Sequence, residues 1–256
     1  MSGMVRCDIE SGVAWVRIDN PPRFNAMSRS MWRDLRQVFE SLSQQASLVA
    51  VVVEGEGGHF CAGGDISEYP SFRFEQAQLR SFHEDEVWGA LQAVLECDIP
   101  VIAAIRGNCM GAGVEIASAC DVRLATEGAK FGAPIARLGF PMAPREAQLV
   151  GRVVGDLTAR EMLLCAAVLT ATEMKERGFL NRVVPEDDLG HDVGRLLKGM
   201  SQLSPLAARR NKQTLRALAA GAPMEALLAR AYDYASHPEH REGVAAFMEK
   251  RPPVFR

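Results

Sequence analysis

The 256-residue chain holds no run of about 18 apolar residues, the length a bilayer-spanning helix needs, so no transmembrane segment is expected. Its opening, "MSGMVRCDIESGVAWVRIDN", lacks the charged-then-apolar pattern of a secretory leader. The six cysteines (Cys7, Cys61, Cys97, Cys109, Cys120, Cys165) form no CxxC pair and sit in mostly apolar surroundings. Buried free thiols in a reducing compartment fit that pattern better than disulfides or a zinc site, and a cytoplasmic location is the expectation. G-x-S-x-G occurs nowhere, which disfavours a serine hydrolase built on a nucleophile elbow. A net charge of −3 argues against nucleic acid or a membrane surface as partner. There is no internal repeat and no low-complexity segment.

The chain does hold an ordinary globular composition, 48% hydrophobic and 24% charged, and enough length for one large domain or two modest ones. "GVAWVRIDN" alternates as a strand does, and "PPRFNAMS" breaks it. From Ser28, a possible cap, the spacing of Met31, Leu35, Val38, Phe39 and Leu42 predicts an amphipathic helix. "LVAVVVEG" and "IPVIAAIRG" are continuous apolar runs that predict buried strands. A polar stretch over 67–76 reads as a loop, and a helix follows through "QLRSFHEDEVWGALQAVLECD". "VRLATEGAKFGAP" reads as strand and turn, residues from "PREAQLVGRVVG" through "KERGF" as helical, "LNRVVP" as a last strand, and 186–250 as almost all helix. Strands and helices thus alternate to about residue 185 and give way to helices alone. An α/β core with a helical appendage is expected.

Two stretches stand out. "HFCAGGDI" (59–66) leaves one buried run through small residues, and "GNCMGAGVEIA" (107–117) leaves the next and opens a helix near Gly113. Each is either a tight turn or a backbone shaped to leave an N–H free for a ligand. A dinucleotide fingerprint fits poorly, because "GAGVEI" lacks the third glycine and no acid follows at the expected distance. Two such stretches can each aim one N–H at one point. That device stabilises charge developing on a carbonyl oxygen by about 3 to 4 kcal/mol per donor.

Taken together, "NPPRFNAM", "HFCAGGDI", "GNCMGAGVEIASACDVRLATEGAKFGAP" and "EGVAAFMEKRPPVF" resemble the crotonase, or enoyl-CoA hydratase/isomerase, superfamily nearly from end to end. The resemblance implies an α/β fold with a spiral core of repeated β-β-α units over residues 1–185, carrying the acyl-CoA site. It implies a C-terminal helical region over 186–256 that packs homotrimers, often paired as hexamers. The oxyanion N–H groups fall on Gly64 and Ala112. Contacts to the adenine and pantetheine parts of coenzyme A fall on Arg23 and Phe24, on the backbone from Ala62 through Asp65 to Ile66, and on Phe247 and Lys250. The last two also read as an ordinary helix-core residue and a solvated charge. The basic run "RRNKQTLR" (209–216) reads as a solvated helix face, with a CoA-phosphate contact as the alternative. No cofactor is implied beyond the coenzyme A of the substrate, and no metal.

Holding a thioester oxygen on two donors makes the acyl Cα a place where an enolate can form, and the neighbouring acids and bases then set the reaction. Hydratases of the family use two glutamates. Glu115, a carboxylate among Val114, Ile116 and Ala117, matches the first, and burial there raises its pKa toward a useful range. Ile135 stands where the second is carried. Ala143 stands at another acid position, used by dehalogenase and dienoyl isomerase members. Glu146 is the nearest remaining carboxylate, either reaching the acyl pocket or pairing with Arg145 or Arg137. Asp65 is better explained by shaping its loop than by proton transfer. The segments 67–80 and 135–146 are expected to shape the acyl pocket. The expectation is an enzyme of fatty acid metabolism working through an enolate, with Glu115 as main acid/base, by hydration or isomerisation. Alternatives are another crotonase-type reaction, such as C–C cleavage or decarboxylation, and an acyl-CoA-binding protein without turnover. A nicotinamide enzyme is a third.

Overall fold

Strands β3 (Ala50–Gly55) and β4 (Val101–Ile105) run parallel at the centre of the molecule, and their unbroken apolar sequences follow from burial on both faces. In the computed structural model, which describes residues 3–255, their side chains alternate between two cores. Val51, Val53, Val101, Ala103 and Ile105 enter the main core, while Ala50, Val52, Ile102 and Ala104 enter a smaller one. Residues 1, 2 and 256, at the outer limits of the two expected regions, lie outside the described residues. Among the described residues no helix is long and apolar enough to cross a membrane.

The larger sheet has six strands in the order β1-β2-β3-β4-β6-β9. β1 (Met4–Glu10) and β2 (Val13–Asp19) form an antiparallel hairpin, and β6 (Val122–Thr126) and β9 (Arg182–Val184) extend the parallel part. A second sheet holds β5 (Asn108–Met110), β7 (Lys130–Gly132) and β8 (Val168–Thr170). The chain visits the sheets alternately, β4 then β5 and β6 then β7, so it winds as the expected spiral of β-β-α turns.

Helix α1 (Arg29–Leu42) begins as its sequence predicts: the Ser28 hydroxyl accepts from the Met31 N–H. Met31, Trp32, Leu35, Phe39 and Leu42 bury one face. Helices α2 (Gln76–Ser81) and α3 (Trp88–Glu96) are one rod joined by π turns over Phe82–Val87. Helix α4 (Ala112–Ala119) leaves the second glycine stretch, α5 (Pro144–Val154) and α6 (Asp156–Leu164) lie between β7 and β8, and α7 (Ala171–Glu176) follows β8.

Four sequence expectations are corrected. β1 was not anticipated: as an edge strand it buries only Val5 fully, so its apolar alternation is faint. β5 and β8 are three-residue strands hidden inside stretches read as turn and as helix. Part of the expected loop over 67–76 is a 3-10 helix, Ile66–Ser71, capped by the Asp65 carboxylate on the Ser67 N–H. Not every thiol is buried, since Cys165 is exposed and Cys7 half-buried.

After β9 come α8 (Leu189–Met200), α9 (Pro205–Ala219), α10 (Met224–Leu228) and α11 (Pro238–Met248). The basic run on α9 is a clamp, which corrects its reading as a solvated face. Arg209 donates to the carbonyls of Gln45, Ala46 and Leu48, and Arg216 to that of Leu95. Lys212 donates to the Ile99 carbonyl and pairs with Asp121 at 2.6 Å. Carbonyls following helices α1 and α3 lack intrahelical donors, and cations satisfy them well. The rest of this region stays open: α9 and α10 bury no residue, and Leu203, Leu215, Met224, Tyr232, Val244 and Met248 are exposed.

Candidate active site

The two glycine stretches lie side by side. Cys61 donates to the Asn108 carbonyl at 2.9 Å and its own carbonyl accepts from Met110 at 2.8 Å. The "PPRFNAM" turn is clipped to the first stretch from the other side. Ala62 donates to Phe24, Met27 to Gly63, and Asp65 to Met27. Asn25, fully buried, pins that turn through the Asn20 N–H and the Glu56 and His59 carbonyls. This pairing engages the amides of residues 62 and 65 and passes over Gly64. The Gly64 N–H, and the Ala112 N–H at the first residue of α4, donate to no acceptor among the described residues. Glycine is needed at two neighbours for different reasons. Gly63 holds φ +114°, and a Cβ on Gly113 would lie 2.6 Å from the Cys61 carbonyl oxygen.

Gly64 and Ala112 both line one cavity of about 320 Å³, within the range of small-molecule sites. Glu115 lines the same wall, and it is the one residue of α4 that is not fully buried. Its carboxyl is pushed up from 4.5 to about 8, first by burial and then by the nearby Glu146, against a smaller opposing pull from Arg73. At neutral pH it holds its proton, and small changes at the site switch it between acid and base.

Of the residues expected at the site, Ala62, Gly64, Ile66, Ala112 and Glu115 meet on this cavity. Arg23 and Phe24 stand beside it on the clipped turn, where Arg23 pairs with Asp65 at 2.8 Å. The Asp65 carboxylate also accepts from the Ser67 N–H and hydroxyl, so it organises the loop. Phe247 and Lys250 are not in the lining; Phe247 is 83% exposed at the end of α11, so it is no helix-core residue. Ile135 and Ala143 do line the cavity and present no acid. Glu146 is 2% exposed on α5 and pairs with neither Arg145 nor Arg137, which corrects the expected ion pairs. Its Oε1 lies 3.0 Å from His83 Nδ1, while Arg145 turns to Glu84.

Three polar cavity residues, His83, Tyr69 and Arg73, are not singled out by the sequence. His83 sits in the π turns, whose i→i+5 bonding aligns residues five apart and brings Phe82, His83 and Val87 to the cavity together. An α-helical period pairs His83 with Val87 but not Phe82 with Val87, so the spacing does not mark the three as one face. Tyr69 and Arg73 come from the polar segment expected to shape the pocket. A Cβ on Gly64 would lie 2.3 Å from the Tyr69 hydroxyl. The Arg73 guanidinium lies over the Tyr69 and Phe140 rings, 4.4 and 3.7 Å from their centroids.

A family model described as enoyl-CoA hydratase/isomerase matches residues 8–256. A probable enoyl-CoA hydratase of Mycobacterium bovis is 32% identical over 246 residues, 95% of this chain and 94% of that protein. A 2,3-dehydroadipyl-CoA hydratase of Escherichia coli is 31% identical over 249 residues, 95% of each. Among solved structures, an enoyl-CoA hydratase/carnithine racemase from Magnetospirillum magneticum superposes with a TM-score of 0.96 at 35% identity, covering 100% of this chain and 96% of that one.

Proposed function

The chain belongs to the enoyl-CoA hydratase/isomerase family, and on that footing we propose that it turns over an acyl-CoA thioester through an enolate. The thioester oxygen accepts from the Gly64 and Ala112 N–H groups, and Glu115 is the principal acid/base. One observation carries the reading: two amides without acceptors among the described residues share a cavity wall with a carboxyl whose pKa is raised to about 8. In hydration, ionised Glu115 takes a proton from water as its oxygen bonds to Cβ, then returns that proton to Cα as the enolate collapses. In a β,γ to α,β shift, it removes an α-proton and delivers it to Cγ.

His83, held by Glu146, is the second proton carrier in this reading, at a place where Ile135 and Ala143 offer none. A carboxylate on Nδ1 fixes the ring and leaves Nε2 for the substrate side. Arg23, Phe24 and the backbone from Ala62 through Asp65 to Ile66 carry coenzyme A, with Phe247 and Lys250 adding contacts. The exposed apolar side chains of α9 to α11 support assembly as trimers or pairs of trimers, which light scattering tests.

The test is turnover of crotonyl-CoA by hydration and of a β,γ-enoyl-CoA by isomerisation. Glu115→Gln should lower whichever rate is found by about 10² to 10⁴. Unchanged turnover in that variant would refute the role of Glu115. Because two acid positions are empty, the second reading is an acyl-CoA-binding protein without catalysis. Thioester binding without turnover of either compound would favour it.

A further inference from the structure

The cavity carries more positive charge than an enolate mechanism calls for. Arg73 lines it beside Tyr69, and its side chain makes no hydrogen bond or ion pair among the described residues. Arg137 also lines it, and its single bond is a long one, 3.4 Å to the Ala166 carbonyl. Neighbouring arginines are spent differently: Arg23 on Asp65, Arg29 on Glu86, Arg145 on Glu84. Arg73 is half-buried and held by cation–π contacts with the Tyr69 and Phe140 rings. Partial burial lowers its pKa, against smaller opposing pulls from Tyr69 and Glu115. Its guanidinium carbon lies over the Tyr69 and Phe140 rings, whose planes stand 71° apart, so the cation is held against two aromatic faces while its N–H groups make no hydrogen bond among the described residues.

From this juxtaposition we propose that the acyl group of the natural substrate carries a carboxylate, and that Arg73 binds it, with Arg137 adding to the field. An unpaired guanidinium in a mainly apolar cavity matches a planar anion in two parallel hydrogen bonds. A saturated or enoyl hydrocarbon tail would leave that charge uncompensated on binding, so the site discriminates against neutral acyl groups. The substrate class is therefore the monothioester of a dicarboxylic acid. This rests on the thioester reading above and adds which acyl group it applies to.

Calorimetry on the whole protein with saturated thioesters, which cannot turn over, separates the two claims. The probes are matched pairs, pentanoyl-CoA with glutaryl-CoA and hexanoyl-CoA with adipyl-CoA. In at least one pair the carboxylated member should bind roughly tenfold tighter or more, the scale of a charge-assisted bidentate contact. In Arg73→Met that ratio should fall to about one, and in Arg73→Lys, which keeps the charge and loses the fork, to a value between. A wild-type ratio at or below one in both pairs overturns the assignment without any variant. A ratio that survives in Arg73→Met also overturns it; an equal loss on both members would place Arg73 on the coenzyme A phosphates or on Glu115 instead. If none of the four thioesters binds, the thioester reading itself fails. If they bind without preference, only the role of Arg73 fails.

Discussion

Replacing Glu115 by glutamine keeps the side-chain volume and removes a proton that folding holds tightly. In the unfolded chain that carboxyl titrates near its ordinary value of 4.5, whereas in the folded protein it titrates near 8. Between those values the unfolded chain has released the proton and the folded chain retains it. The unfolded state thus binds fewer protons, and stability falls as pH rises. Each unit of separation is worth about 1.4 kcal/mol, so the full interval costs the wild type at most about 5 kcal/mol by pH 8 and above. Glutamine does not titrate. Near pH 4.5 the two proteins should differ by less than about 1 kcal/mol, the scale of a near-isosteric change. By pH 8 the variant should be more stable by several kcal/mol, and the gap should level off at higher pH, once the folded wild type has ionised too. Denaturant unfolding at fixed protein concentration, at pH 5, 6, 7, 8 and 9, reads the difference directly. A pH-independent difference would show that the carboxyl is not held protonated, and the acid/base role would lose its physical basis. Greater stability together with a loss of about 10² or more in kcat is a combination that a merely structural glutamate does not give.

Three further outcomes follow from contacts already described. His83→Gln and Glu146→Gln should each lower kcat at least about tenfold, and the double variant should lose little more, since the pair acts as a unit; additive losses in steady-state kinetics would break that link. Gly113→Ala places a Cβ 2.6 Å from the Cys61 carbonyl and pushes the two glycine stretches apart. It should cost about 1 to 3 kcal/mol in unfolding experiments and abolish most turnover, whereas wild-type kinetics would deny that their spacing matters. Lys212→Met leaves the Ile99 carbonyl without its side-chain donor and removes the cation beside Asp121, whose carboxylate keeps the Val101 N–H, with a loss of about 1 kcal/mol and earlier proteolytic release of the C-terminal helices. Unchanged protease resistance would contradict the clamp.

Much of the fold was legible because local sequence dictated it. Ser28 with Met31, Leu35, Phe39 and Leu42 wrote α1 into one amphipathic period, and β3 and β4 wrote themselves as apolar runs because both of their faces are covered. What escaped was whatever depended on partners far along the chain. β1 is defined by its register with β2 more than by its own alternation, and β5 exists only because Lys130–Gly132 lies beside it. The α9 cations look solvated until the carbonyls at residues 45, 46, 48, 95 and 99 are brought under them. Glu146 looked like a partner for nearby arginines, and its actual partner is 63 positions upstream, turned inward by a π segment that no 3.6-residue period describes.

The same distinction separates the parts of the site. An amide can be aimed only by the dihedrals of its own and adjacent residues, so the Gly64 and Ala112 donors require contiguous stretches with fixed glycines, such as φ +114° at Gly63 and +47° at Gly111. Those stretches can be recognised from sequence wherever the same device is used. A proton carrier or a charge for the acyl group has no such constraint, because any element whose side chain reaches the cavity can supply it. Here the groups reach it from the turn after a 3-10 helix (Arg73) and from π turns (His83), with Glu146 on α5 behind His83 and outside the lining, while positions 135 and 143 supply none. The apparatus that holds a thioester oxygen is thus written locally, and the groups that choose among its reactions are written across the fold. Relatives that share the first can therefore differ in the second, and for this chain the reaction and acyl group have to be argued from His83, Glu146 and Arg73 more than from the glycine motifs.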